Sequence, residues 1–173
     1  MESNEKKAED LMNILDMQEE ILQFEHFTNE DALELGAFML KEAKSRDYHI
    51  AIAIERSNGA IVFQAMMDGT TPDNLESIQR KFATVERVER SSLAWFMKLK
   101  EREESMADRY MDTSIYSCAG GGFPIRIEEA GVIGVIAVSG MNHVQDHDFI
   151  IKCLSKYLHV DEVPRINKAD IRH

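Results

Sequence analysis

Cysteine, proline, tryptophan and positive charge are all scarce in this chain. The two cysteines, Cys118 and Cys153, stand far apart and form no CxxC pair. They read as reduced, structural thiols in apolar surroundings rather than as a disulfide framework. The three prolines mark boundaries: Pro72 at a helix start, Pro124 at a strand start or sheet edge, and Pro164 as a stop. Twenty basic side chains face thirty-one acidic ones, a net charge of −11. That balance argues against nonspecific binding to nucleic acid or anionic lipid, which need a basic face. No apolar run is long enough for membrane insertion. The first residues, Met1 to Glu5, lack the basic and then apolar segments of a signal peptide, so a cytoplasmic location is expected.

What is present is an ordinary globular balance, 44% apolar and 29% charged, over 173 residues. That is one domain's length with a real core. The stretch Ala119-Gly120-Gly121-Gly122-Phe123-Pro124-Ile125-Arg126-Ile127 leads through a turn at Glu128–Gly131 into Val132–Gly140. Three glycines permit tight apposition of another backbone or a ligand. The Val132–Val138 run is β-branched with Gly134 inside it, and reads as a central strand with a close backbone approach there. The Pro124 segment reads as its antiparallel edge partner. A second hairpin runs from Ile50–Ile54 through Asn58-Gly59 to Ala60–Met66.

Helical spacing fills the rest. Residues 3–25 carry a stripe of Leu11, Ile14, Leu15, Gln18, Ile21 and Leu22, either packed on the chain's own domain or serving as an interface between subunits. Thr28 or Asn29 starts a second helix, whose small Gly36 and Ala37 suit close approach to a sheet. A long helix is expected from about residue 73 to 104, with Leu75, Ile78, Phe82, Val85, Phe96 and Leu99 on its buried stripe. Glu89 falls near the centre of that stripe, and Lys81 and Ser92 near its edges. Such groups must be paired, or must leave the core through a break near Arg90-Ser91-Ser92. The pattern weakens over 102–117, a helix is expected over 145–158, and the tail beyond Pro164 reads as loosely held. Helices grouped around two hairpins give an α+β sandwich, with residues 1–28 as a helical extension and 29–173 as a single domain.

Few residues carry clear chemistry. His143 and His147 are four apart, a metal-like spacing on a helix, but His143 falls before the expected helix start. The plainer reading has Asp146 capping and His147 making a local hydrogen bond, and no metal site is assigned. The glycines lack the preceding strand and following Lys-Ser/Thr of a phosphate loop. Ser91, Ser92 and Ser139 have no histidine–acid set, which leaves a hydrolase unsupported. Arg80, Lys81, Arg87 and Arg90 form the main basic cluster. They read either as a solvated face with Glu76–Arg80 and Glu86–Arg90 pairs, or with Arg80 or Lys81 beside the glycines as an anion or carboxylate site.

The segments Gly120–Ile125, Val138-Ser139-Gly140 and Asp146-His147, with Arg80-Lys81 and Arg87–Ser92, resemble the haem-degrading-domain superfamily, the HbpS and GlcG-like proteins, in its small uncharacterised branch. The resemblance runs from about residue 30 to 164. It implies a profilin-like α/β/α sandwich with a mainly antiparallel sheet, homo-oligomers and, for some relatives, binding or slow degradation of haem. A eukaryotic relative is linked instead to the delivery of tail-anchored membrane proteins. Arg90 and Ala119 stand where the family usually has histidine. Haem needs an axial ligand in an apolar slot with cations near its propionates, for which His26, His49, His147, Tyr116 and ten methionines are candidates. Expectation centres on a ligand site for haem or a related organic anion formed by Arg80, Lys81, Gly121, Gly122, Phe123, Arg126 and His147. The competing expectation is a non-enzymatic assembly or chaperone-associated protein that binds no ligand.

Overall fold

The computed structural model describes the backbone of residues 2–171 and the side chains of residues 3–171. Met1, Arg172 and His173, the ends of the expected extension and tail, lie outside the described residues. The elements are α1 (Glu2–Ile21), α2 (Asn29–Ser45), β1 (Ala51–Arg56), β2 (Ile61–Met66), α3 (Pro72–Val88), α4 (Ser92–Glu101), β3 (Gly122–Ile127), β4 (Gly131–Ser139) and α5 (His143–Tyr157). Single 3-10 turns occupy Ala107–Arg109 and Lys168–Asp170.

The two hairpins join side by side into one antiparallel sheet of order β2-β1-β4-β3. β4 is therefore central and the Pro124 strand lies on the edge, where its missing N–H costs no ladder bond. The alternation of β1 builds the layers. Ile50, Ile52 and Ile54 face the main core with Leu35 and Met39 of α2 and Phe149, Ile150 and Leu154 of α5. Ala51 and Ala53, with Ala137 of β4, face the other way and admit Ile78, Phe82 and Val85 of α3. Small residues on that face let the helix lie close. Gly134 lies where a Cβ would come 2.6 Å from the Glu55 carbonyl, the close approach expected from the sequence. Gly36 performs the same service under the Phe63 ring of β2. The result is the expected α+β sandwich of helices on both faces of an antiparallel sheet.

Two expectations change, and of the two readings of 73–104, one long helix or a break near Arg90-Ser91-Ser92, the break holds: the stretch is two helices. α3 ends at Glu89, whose φ of 53° and ψ of 31° are left-handed, and Ser91 caps α4 by accepting from the Ala94 N–H. The last helix begins at His143, capped by Asn142, two residues earlier than expected. The tail is not loosely held: Ile166 and Ile171 are buried with Leu11, Leu15, Leu93, Ala94, Met97 and Val144 in a second core, and Arg165 grips Asp148 with two hydrogen bonds of 2.8 and 2.7 Å. α1 lies along α4 and closes this second core.

Candidate functional site

The three polar residues of the α3–α4 stripe each find a different resolution. Lys81, only 2% exposed, reaches under the sheet end, where its Nζ donates to the Val138 carbonyl at 2.7 Å and lies 3.4 Å from Asp146 Oδ2. Ser92 accepts from the Gly122 N–H at 2.9 Å. Glu89 leaves the core at the helix break. Burying a charge requires a partner, and Lys81 has Asp146, whose Oδ1 accepts from the Met141 N–H. Burial pushes the Asp146 carboxyl up to about 6, against the pull of Lys81 and the backbone amides. Burial lowers the Lys81 ammonium, opposed by Asp146. Each holds the other charged in a site that disfavours both.

The glycines sit at the crossing of these contacts. Gly121 has φ of +113°, and a Cβ there would meet the Val138 carbonyl at 2.6 Å and Lys81 Nζ at 2.8 Å. At Gly120 it would meet the His143 carbonyl at 2.5 Å, while the Gly120 N–H donates to His143 Nδ1 at 2.9 Å. Lys81 does lie beside the glycine stretch, as one reading of the sequence had it, and the carboxylate it holds is the chain's own Asp146. Arg80 points elsewhere, to the Thr113 carbonyl.

Phe123 and His147 come together at β3, while Arg126 turns to the α3–α4 junction and α1. His147 is fully buried, and its ring lies 6.0 Å from that of Phe123. Desolvation pushes its pKa down to about 4, so the ring is neutral at physiological pH. Its partner is not local. Nε2 lies 2.7 Å from Gln18 Oε1, and Gln18 Nε2 in turn donates to the Pro164 carbonyl. The Gln18 oxygen can only accept, so the ring proton is on Nε2 and Nδ1 carries the lone pair, with no partner. Arg126 donates to the Glu89 carbonyl at 2.7 Å and approaches Glu19 to 4.0 Å. Arg90 pairs with Asp16 and Glu19 of α1 instead of the expected Glu86. Glu86 shares a hydrogen bond with Glu55, which burial and that neighbour push up to about 7.

A neutral imidazole with a free lone pair beside an aromatic ring is the donor chemistry that haem requires. The space is lacking. Lys81, Gly121, Gly122, Phe123 and His147 are all buried, the Cβ positions of the glycines are filled by protein atoms, and Gln18 closes over the imidazole. With α1 in place these residues do not fit haem. Among the described residues, no group of three or more histidine, cysteine or acidic side chains is arranged to hold a metal ion. Sequence reasoning missed Gln18, Glu19 and Arg90 as members of this cluster. The available signal was Gln18 itself, a polar residue on an otherwise apolar stripe.

Comparison with known proteins agrees with the fold. A UPF0303 protein of Paraburkholderia phytofirmans is 37% identical over 148 residues, 85% of this chain and 89% of that protein. One from Pseudomonas entomophila is 41% identical over 152 residues, 87% of this chain and 83% of that protein. Among solved structures, the Ybr137w protein superposes with a TM-score of 0.78 at 25% identity, covering 86% of this chain and 87% of that one. HbpS superposes with a TM-score of 0.62 at 22% identity, covering 79% and 92%, and shares the fold. PduOC, solved as a haem complex, also superposes with a TM-score of 0.62, at 14% identity over 75% and 93% of the two chains. The sequence model described as "Haem degrading protein HbpS-like" matches residues 27–155, from the start of the α2 cap nearly to the end of α5, and the chain belongs to that family.

Proposed function

We propose that the protein binds haem or a related apolar organic anion beside β3, at the Phe123–Arg126 end of the glycine stretch. Family membership supports a haem-related ligand. The observation that carries the reading is His147: a neutral buried imidazole whose Nδ1 has no partner, next to Phe123. Few buried polar atoms in a native protein go unsatisfied, and those that do mark sites with another task. Haemin titration tests the reading. A saturable Soret shift is expected, weakened at least tenfold by Arg126→Gln; no saturable shift would remove haem from the proposal.

A second reading, an assembly protein that acts as a homo-oligomer, has its own observation. β2 is an edge strand, and its Ile61 and Met66 are 46% and 40% exposed. Exposed edges of this kind pair with other chains unless blocked. Light scattering at micromolar concentration should give a multiple of the monomer mass that falls with Met66→Lys. A monomeric wild type would sink this reading.

A further inference from the structure

α1 precedes the family-matched residues, and its inner face is unlike that of a helix that only covers a core. Leu11 and Leu15 lie on Leu93, Ala94 and Val144. The next turn then presents three polar side chains to the domain. Gln18 Oε1 accepts a hydrogen bond from the His147 Nε2–H. Asp16 pairs with Arg90 Nη2. Glu19, 6% exposed, accepts from Arg90 Nε at 3.0 Å, lies 4.0 Å from Arg126 Nη2, and is favoured in its charged form by the nearby Ser91 backbone N–H at the start of α4. A helix N-terminus with two guanidinium groups is a carboxylate-binding arrangement, and here the chain's own carboxylate fills it.

The filling is imperfect. Glu19 Oε1 has no hydrogen-bond donor, and His147 Nδ1 on the same seam has no partner either. Burying a carboxylate costs several kcal/mol unless its lone pairs are satisfied, and an apolar seam would often hold a helix at least as well. Burial raises the Glu19 carboxyl even with both arginines beside it. What α1 offers is therefore an apolar body bearing two carboxylates, set on two arginines, a backbone N–H and a neutral imidazole.

We propose that α1 is an internal stand-in for the ligand: Arg90, Ser91, Arg126 and His147 form a binding site for an apolar dicarboxylate, which Leu15, Asp16, Gln18 and Glu19 occupy until the ligand displaces them. This inference rests on the ligand-binding reading above, and it explains why the site is closed. Haem, with two propionates on an apolar ring, is one such molecule. Iron is not needed for this recognition.

The test uses the full chain with three probes: haemin, iron-free protoporphyrin IX and dodecanedioate. Binding is followed by absorbance or calorimetry, and α1 separately by amide hydrogen exchange over residues 11–22. Asp16→Asn with Glu19→Gln should tighten protoporphyrin IX at least tenfold, and adding Arg126→Gln should reverse the gain. In the wild type, ligand should speed exchange in α1. If the double variant does not fold, the isosteric Glu19→Gln alone carries the same comparison. Binding of haemin alone would assign recognition to the iron and overturn the dicarboxylate class; binding of dodecanedioate as well as protoporphyrin IX would support it most broadly. Saturable binding with α1 exchange unchanged or slowed would overturn the stand-in while leaving the ligand-binding reading intact. Faster α1 exchange in the double variant with none of the three probes bound would overturn both.

Discussion

Gly121 and Gly131 both hold left-handed backbone, with φ of +113° and +82°, yet their surroundings differ. A Cβ at Gly131 meets nothing within 4 Å, whereas at Gly121 it runs into the Val138 carbonyl and the Lys81–Asp146 pair. Gly131→Ala should therefore cost only the backbone penalty, about 1 kcal/mol. Gly121→Ala adds a clash with rigid backbone and should cost roughly 3 kcal/mol or more, read by urea denaturation. His147 sets a pH dependence. Its folded pKa of about 4 lies below the ordinary imidazole value of 6.5. Stability from this group is fully present above pH 6.5 and is lost as pH falls through 4, because the unfolded chain binds the proton first. The loss amounts to about 3 kcal/mol. Asp146, raised to about 6, acts with the opposite sign: its folded form takes up the proton first as pH falls below 6. The effect of His147 is therefore read as the difference between wild type and His147→Gln, which should shrink between pH 6.5 and 4. A constant difference across that range would contradict the assignment.

The α3–α4 junction shows how one helical stripe can serve two partners. Ile78, Phe82 and Val85 pack on the alanine face of the sheet, while Leu93, Ala94 and Met97 pack on α1. Periodicity runs nearly unbroken through the junction, so it does not reveal that the partner changes. The polar residues did signal it: a glutamate at the centre of the stripe and two serines after it. Glu89 takes the left-handed position that glycine occupies at lower cost. Glu89→Gly should stabilise the protein by about 0.5–1 kcal/mol, since the relieved strain exceeds the added freedom of the unfolded chain. The Arg126 contact survives because it is made to the Glu89 carbonyl. Thermal unfolding checks the direction; a lower melting temperature would contradict it.

The whole molecule has a main core between the sheet and α2 and α5, and a second core where α1, α4, the start of α5 and the tail meet. The packing of the tail is not legible in the sequence, because its two anchors, Ile166 and Ile171, are isolated apolar residues in a polar stretch with no period to read. Ile166 is 1% exposed. Ile166→Ala should cost about 2–4 kcal/mol by transfer and cavity terms together, whereas a loosely held tail would lose almost nothing. Since α1 shares this second core, the same variant should also speed hydrogen exchange in α1. Among the described residues, no helix is long and apolar enough to cross a membrane.

The sequence alone determined the two hairpins, the edge and centre of the second one, the buried helix faces and the family resemblance. Each of these is written in local spacing: alternation, Asn-Gly, a proline at an edge, 3.6-residue stripes. It also put Lys81, Phe123, Arg126 and His147 among the residues of interest. Only the tertiary structure decided what they meet. Lys81 is answered by Asp146 from a helix sixty-five residues away, and His147 by Gln18 from one 129 residues away. Pairings at that separation are fixed by how layers stack and which helix closes which core, and no local period encodes that choice.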